Sequence, residues 1–264
     1  MKHLIDIGAN LTSHSFSKDL PEVLSRAQQA GVSKMIVTGT SIDHSQQAIE
    51  LADAYPEVLY ATAGVHPHHA KECNDKTLST LESFAQQQSV VAIGECGLDF
   101  NRNFSPADVQ EKWFEAQLEL ASSLDLPLFL HQRDAHEKFI EILSRWRDKL
   151  GAVVAHCFTG NTEEVMAYND LDLHIGITGW ICDERRGQSL QQAVQHIPLD
   201  RLMIETDAPY LLPRDLPVKV KDQRNEPAYL PHICKAVAHY RGDDLESLST
   251  STTEASKKFF NLAI

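Results

Sequence analysis

The stretch Leu126-Pro127-Leu128-Phe129-Leu130-His131-Gln132-Arg133 decides the fold. A strand with one wet face alternates apolar and polar side chains, whereas Leu128-Phe129-Leu130 is apolar without a break, the mark of a strand covered on both faces in a parallel sheet. Met35-Ile36-Val37, Val153-Val154 and Leu202-Met203-Ile204 read the same way. Working outward, strand-like runs alternate with helix-patterned segments eight times. The strands are predicted at His3 to Asn10, Lys34 to Thr40, Val58 to Val65, Val90 to Asp99, Leu126 to Arg133, Ala152 to Phe158, Leu173 to Trp180 and Leu202 to Asp207. Helices are predicted to begin near Ser17, Asp43, Asp75, Pro106, Ala135, Thr162, Ser189 and Pro227, with a last one from Asp244 to Asn261. Asp43, Asp75 and Asp244 suit N-caps, Pro106 a first helical turn, and Gly31 and Gly151 the residue past a helix end.

Eight β-then-α units in 264 residues predict an α/β fold, a (β/α)8 TIM barrel forming one domain over residues 1–264. The rival, an open doubly wound sheet, would carry Gly-x-Gly-x-x-Gly after its first strand or a Walker phosphate loop, and neither pattern occurs.

Hydrophobic residues at 42% and charged residues at 23% are ordinary globular usage, which excludes disorder as the main state. With 24 Lys plus Arg against 37 Asp plus Glu the net charge is −13, so the broad basic face of a nucleic-acid-coating protein is excluded and any nucleic acid must be held locally. No apolar stretch approaches the roughly 20 residues of a membrane span. Met1-Lys2-His3-Leu4-Ile5-Asp6 is too polar for a secretory leader, so a cytoplasmic location is expected. Five cysteines with no Cys-x-x-Cys pair argue against a disulfide framework or a zinc knuckle and predict reduced, mostly packed thiols. The acceptor patterns Asn10-Leu11-Thr12 and Asn103-Phe104-Ser105 are discounted for a cytoplasmic chain.

In a barrel, reacting groups sit at the carboxyl ends of the strands. Here strand 1 ends at Asn10 with Asp6 inside it, and strand 3 runs into His66-Pro67-His68. Strand 4 carries Glu95 and Asp99, strand 5 His131 and Arg133, strand 6 His156, and strand 8 Glu205 and Asp207. Alternation puts Glu95 with Asp99, His131 with Arg133, and Glu205 with Asp207 on shared faces. Glu95, His131 and His156 come from successive strands about 4.8 Å apart, and Asp207 approaches from the last strand, so two imidazoles and two carboxylates make a divalent-metal site. A lone histidine at a strand end is more often a hydrogen-bonded structural residue, but three such accidents on neighbouring strands are harder to sustain. Asp207 precedes Ala208-Pro209, a turn with no need of a carboxylate. Glu205 is open between a site residue and the partner of a nearby cation. His66 reads as catalytic or phosphate-contacting and His68 and His69 as loop residues. His136, His196, His232 and His239 read as surface or packing residues, and Cys96 and Cys157, on the face opposite their neighbours, as core.

Six motifs carry a family likeness: Gly64-Val65-His66-Pro67-His68, Gly94-Glu95-Cys96-Gly97-Leu98-Asp99, His131-Gln132-Arg133-Asp134-Ala135, His156-Cys157-Phe158-Thr159-Gly160, Ile204-Glu205-Thr206-Asp207-Ala208-Pro209-Tyr210-Leu211 and Arg224-Asn225-Glu226-Pro227. In this order they resemble the TatD family of metal-dependent deoxyribonucleases, a branch of the amidohydrolase-like barrels, over nearly the whole chain. The resemblance implies phosphodiester cleavage in DNA, with Glu95, His131, His156 and Asp207 as metal ligands. It also implies that Asp207 doubles as the base and that His66 handles the phosphate or leaving group. Most members begin with Asp-x-His-x-His on strand 1, but this chain has Asp6-Ile7-Gly8-Ala9-Asn10, which points to the subgroup of the founding bacterial member and puts a second metal in doubt. Losing two imidazoles shifts the donors toward oxygen and favours Mg²⁺, or Mn²⁺, over tightly held zinc.

The ion would supply the positive charge that a −13 chain lacks. Asn10, Asp99, Arg133, Glu205 and Arg224 are candidate substrate contacts, with Arg102, Arg185, Arg186, Arg214, Lys219 and Lys221 as further loop cations. A barrel mouth is a pit that admits a strand end, so an exonuclease on single-stranded DNA is expected, with RNA as a second substrate. The resemblance supplies the 3′ to 5′ direction and a setting in DNA repair or degradation, and a monomer is expected. Two other readings stay open: a metal-dependent hydrolase of a small ester, lactone or amide, and a binder that lost turnover with its strand 1 histidines.

Overall fold

The computed structural model describes residues 3–262; Met1, Lys2, Ala263 and Ile264, which fall within the predicted domain and the amino-terminal reading, lie outside the described residues. The strands are β1 (Leu4–Ala9), β2 (Val32–Val37), β3 (Leu59–Ala63), β4 (Val90–Asp99), β5 (Leu128–Arg133), β6 (Val153–Ala155), β7 (His174–Ile177) and β8 (Leu202–Ile204). The α-helices are α1 (Leu20–Gln29), α2 (Ile42–Ala54), α3 (Thr77–Ala85), α4 (Ala107–Leu124), α5 (His136–Trp146), α6 (Thr162–Asp170), α7 (Gln188–Ala193), α8 (Leu230–Arg241) and α9 (Leu245–Phe260). The strands form one sheet in the order β1-β2-β3-β4-β5-β6-β7-β8, the topology of a (β/α)8 barrel.

Contacts divide the chain into two compact units. One comprises the described residues up to Val37, Cys157–Asn169 and the described residues from His174 onward. In it β1 pairs parallel with β2 (Leu4 with Val32, Asp6 with Met35) and β7 with β8 (Gly176 with Met203). A parallel bridge from Ala9 to Ala208 joins the ends of β1 and the segment after β8. The other unit, Thr38–His156 with Asp170–Leu173, holds β3 to β6 in parallel register, with Ala61 opposite Val90, Gly97 opposite His131 and Leu130 opposite Ala155.

The unbroken apolar runs behave as two-sided burial requires. Met35, Ile36, Val37, Leu128, Phe129, Leu130, Val153, Val154, Leu202, Met203 and Ile204 are all buried. The helices cover them with single apolar stripes, as on α5, where Phe139, Ile142 and Leu143 turn inward and Phe139 stacks on Phe114 of α4 with ring centroids 5.5 Å apart. Among the described residues no helix is long and apolar enough to cross a membrane.

Several predicted boundaries need correction. The cap of α2 is Ser41, whose Oγ accepts from the His44 amide at 3.2 Å, and Asp43 sits inside the first turn. Asn74 rather than Asp75 organises the start of α3: its Oδ1 accepts from the Lys76 amide at 3.0 Å while its own amide donates to Thr77 Oγ1. Serine and asparagine rival aspartate as caps, so residue type alone does not fix the position. Asp244 does cap α9, its Oδ1 accepting from the Glu246 and Ser247 amides at 3.0 and 2.9 Å. Gly31, at φ +94°, ends α1 as predicted, but Gly151 follows a 3-10 turn (Arg147–Lys149) and is not in the left-handed region. Strands 3, 6, 7 and 8 are shorter than predicted, so His66, His156, Glu205 and Asp207 sit on the turns just past the strand ends. Cys96 is buried as expected, whereas Cys157 turns at φ +50° and is only half-buried, because alternation stops where the strand does.

Gly97 has φ +140°, and a Cβ there would overlap the His131 carbonyl oxygen, whereas Gly242 at φ +74° ends α8 with open space around it. Gly97→Ala should cost about 3 kcal/mol or more in urea unfolding, and Gly242→Ala about 1 kcal/mol.

Candidate functional site

β4 delivers its carboxylates through a local irregularity that its glycines permit. Gly94 at φ +142° and Gly97 at φ +140° flank Glu95, and the register with β5 slips between Gly94 and Cys96, the kind of bulge that re-aims a side chain. Glu95 is buried, and its Oε1 gathers three imidazoles: His156 Nε2 at 2.8 Å, His131 Nδ1 at 3.0 Å and His66 Nε2 at 3.3 Å. Ring packing holds them, with Phe129 stacked on His156 at 4.4 Å and His66 edge-on to His131 at 4.4 Å.

Asp99, four residues on, faces the same cluster. Its Oδ2 meets His68 Nε2 at 2.7 Å and lies 3.5 Å from His131 Nε2, and its Oδ1 accepts from the Asn101 and Arg102 amides at 3.0 and 2.8 Å. His131 therefore bridges the two acids, but its buried Nε2 makes no properly aligned hydrogen bond. His68, predicted as a loop residue, is thus a partner of the acid.

The charges follow from this arrangement. Burial works against ionising Glu95, but His156 and His66 and the hydrogen bonds from His131 and His156 outweigh it and hold the carboxyl well below its usual range. Burial also opposes ionisation of Asp99, and His131, Arg102 and His68 overcome it in the same way. For His131, burial is outweighed by the two acids and the ring is pushed up. For His66 burial wins over Glu95 and pushes the imidazole down to about 4.

One oxygen facing three ring nitrogens, with a fourth buried nitrogen unsatisfied, is poorly served by hydrogen bonds alone and well served by a divalent cation. Mixed imidazole and carboxylate donors suit such an ion. Ligating atoms of His66, Glu95 and His131 lie within 4.8 Å of one another. Within this trio His66 differs, because its Nδ1 accepts from the His68 amide at 3.0 Å. In the neutral ring that leaves the proton on Nε2, so His66 is built to donate a hydrogen bond.

The other unit holds Asn10, Glu205, Asp207 and Arg224. Asp207, at φ +54°, has its amide bonded to the Gly8 carbonyl at 2.8 Å and its Oδ1 held by Asn10 Nδ2 at 2.8 Å. Asn10 thus orients Asp207. Glu205 is fully buried and accepts from the Cys157 amide at 2.5 Å, which fixes the turn after β6. Arg224 commits its guanidinium to Asp19 (2.8 and 2.7 Å), Glu226 (2.6 Å) and the Ser15 carbonyl (2.7 Å), a structural clasp where a substrate contact was expected. Arg185 and Arg186 pair with Asp183, and Arg214 with Glu184. In the β4-to-β5 unit Arg133 is exposed at the end of β5.

Asp6 is the residue that sequence reasoning left without a role. Burial pushes its carboxyl up to about 8 against the hydrogen bonds from Thr206, whose amide and hydroxyl donate to it at 2.9 and 2.5 Å. It therefore anchors the residue before Asp207. The signal was a lone acid between Ile5 and Ile7.

Residues 5–261 match the model of the TatD-related DNases. This chain belongs to that family. Relatives described as 3′-5′ ssDNA/RNA exonuclease TatD include one from Pectobacterium carotovorum, 53% identical over 98% of this chain and 100% of its own length. Another, from Erwinia tasmaniensis, is 54% identical with the same coverage. A TatD homologue from Escherichia coli superposes with a TM-score of 0.90 at 29% identity, covering 98% of each chain. A TatD family hydrolase from Entamoeba histolytica gives the same TM-score and coverage at 27% identity. The beta-aspartyl dipeptidase of Fervidobacterium islandicum, 11% identical with a TM-score of 0.59, shares the fold alone.

The His66 ring gives a pH test on the metal-free protein. Its pKa is lower folded (about 4) than unfolded (6.5), so the unfolded chain takes up the proton first. Its contribution to stability is complete above pH 6.5 and is lost as the pH falls toward 4, about 3 kcal/mol in all. Urea titrations across that range should show the loss in the parent and a flatter profile in His66→Gln.

Proposed function

We propose that this chain is a metal-dependent 3′-5′ exonuclease of single-stranded DNA, acting also on RNA. The observation that carries the reading is the convergence of His66, His131 and His156 on Glu95 Oε1, in a chain 53% identical end to end to relatives bearing that description.

Glu95, His131 and His156 are assigned as the holders of a divalent ion, and Asp207 joins them on the strength of the family motif Ile204 to Leu211. When bound, such an ion polarises a phosphoryl oxygen and lowers the pKa of water. Asp207, kept in one orientation by Asn10, takes the proton of the attacking water. His66, with its Nε2 proton, donates toward the phosphate or the departing oxygen. Asp99 and His68 fix the far side of the His131 ring, and second-layer acids of this kind hold a ligand's orientation. Mg²⁺ or Mn²⁺ is the preferred ion, since Gly8 and Asn10 stand where most members have histidines, and one firm ion is expected. We place the enzyme in the cytoplasm as a monomeric single domain, in nucleic-acid repair or degradation. Arg133 and Arg102 remain the best candidates for phosphate contacts, because the clasp around Arg224 leaves it occupied.

The test is digestion of an end-labelled single-stranded oligonucleotide. The parent should shorten it from the 3′ end, EDTA should stop the reaction, and Glu95→Ala and Asp207→Ala should each lose about 100-fold or more. Undiminished cleavage in both variants would overturn the assignment.

A further inference from the structure

A second group of metal-ligating side chains lies within the unit that holds β7, β8 and α8, and the nuclease reading makes no use of it. Cys182 ends the 3-10 turn Gly179–Cys182 that follows β7, Asp215 lies on the segment 205–226 after β8, and His232 sits in the first turn of α8. One donor atom from each lies within 4.8 Å of the other two. His232 Nε2 meets Asp215 Oδ1 at 2.6 Å, with Cys182 Sγ beside them. Cys182 is only 4% exposed, whereas Asp215 reaches solvent, so the cluster has a buried soft donor and an open edge.

We propose that Cys182, Asp215 and His232 form a second divalent-cation site, chemically distinct from the Glu95 centre and suited to zinc or another thiophilic ion. Sulfur, imidazole and carboxylate make a tetrahedral three-ligand set with one position left for water. The Glu95 centre offers no sulfur donor, so the two sites differ in ligand chemistry and a thiophilic ion favours this one.

A Cys-His-Asp catalytic relay would need histidine between the thiol and the acid. Here His232 meets the acid through Nε2, and among the described residues no hydrogen bond joins its ring to the thiol. A nucleophile must also reach its substrate, and this thiol is buried. The three ligands come from three segments that other contacts already hold in place. Arg214, next to Asp215, grips Glu184, two residues past Cys182, with Nη2–Oε1 at 3.0 Å and Nε–Oε2 at 3.1 Å. α8, which carries His232, packs against the 3-10 turn that ends in Cys182. Such a site clips the segment 205–226, with its Arg214, Lys219 and Lys221, to α8 and to the turn after β7.

Cobalt(II) is a probe that separates the two sites, because a thiolate ligand adds a sulfur-to-cobalt charge-transfer band in the near ultraviolet and the Glu95 centre has no sulfur. Titrating Co²⁺ into the metal-stripped full chain should raise this band to saturation, equally in Glu95→Ala, and Zn²⁺ should abolish it by competition. Cys182→Ser should lose the band, and His232→Ala and Asp215→Asn should weaken binding at least tenfold, with folding checked by circular dichroism. Trypsin cleavage at Arg214, Lys219 and Lys221 should slow several-fold with Zn²⁺ in Glu95→Ala and stay unchanged in Cys182→Ser. No band in the parent, a band that survives Cys182→Ser, or full affinity in both His232→Ala and Asp215→Asn would each overturn the site. None of these readouts depends on nuclease activity, so the outcome stands apart from the catalytic assignment.

Discussion

A carboxylate removed from water must recover its hydration from neighbours, and at Glu95 the neighbours are three imidazoles on a single oxygen. An uncompensated buried charge costs several kcal/mol, so the surrounding fold is obliged to bring donors from different strands to one point. The glycines of β4, the slip in register against β5 and the stacking of Phe129 on His156 all serve that placement. His131 lies between two acids and its ring is pushed up, whereas burial keeps His66 neutral with its proton on Nε2.

In the other unit the same logic works through backbone. Asp6 is buried within β1 and spends its oxygens on Thr206, and Asn10 at the end of that strand holds Asp207. The motif Asp6-Ile7-Gly8-Ala9-Asn10 therefore keeps a function after losing the histidines usual in the family: its acid and its amide set the conformation around the proposed base. Glu205, which the sequence leaves open between a site residue and the partner of a nearby cation, accepts from the Cys157 amide and fixes the turn that follows β6.

The barrel was legible because uninterrupted apolar runs such as Leu128-Phe129-Leu130 suit a strand buried on both faces and little else, and because polar groups recur at the strand ends. The cluster of Glu95, His131 and His156 was legible for the same reason. What stayed hidden was set by three-dimensional pairing. No sequence pattern announces that Arg224 will be claimed by Asp19 and Glu226, that His68 will meet Asp99, or that Cys182, Asp215 and His232 will gather from three segments. Strand ends were overextended at His156 and Asp207 because both residues follow apolar runs closely, while their backbones already turn away; Asp207 and Cys157 both take positive φ.

On the proposed reading, Glu95 and its imidazoles hold a divalent ion. The most direct measurement is an anomalous difference map from crystals soaked in Mn²⁺. A strong peak within coordination distance of Glu95 Oε1 is expected, with ring nitrogens of His131 and His156 in contact, and no peak there in Glu95→Gln. A map with manganese only at surface carboxylates, and the three imidazoles still hydrogen-bonded to Glu95, would contradict it.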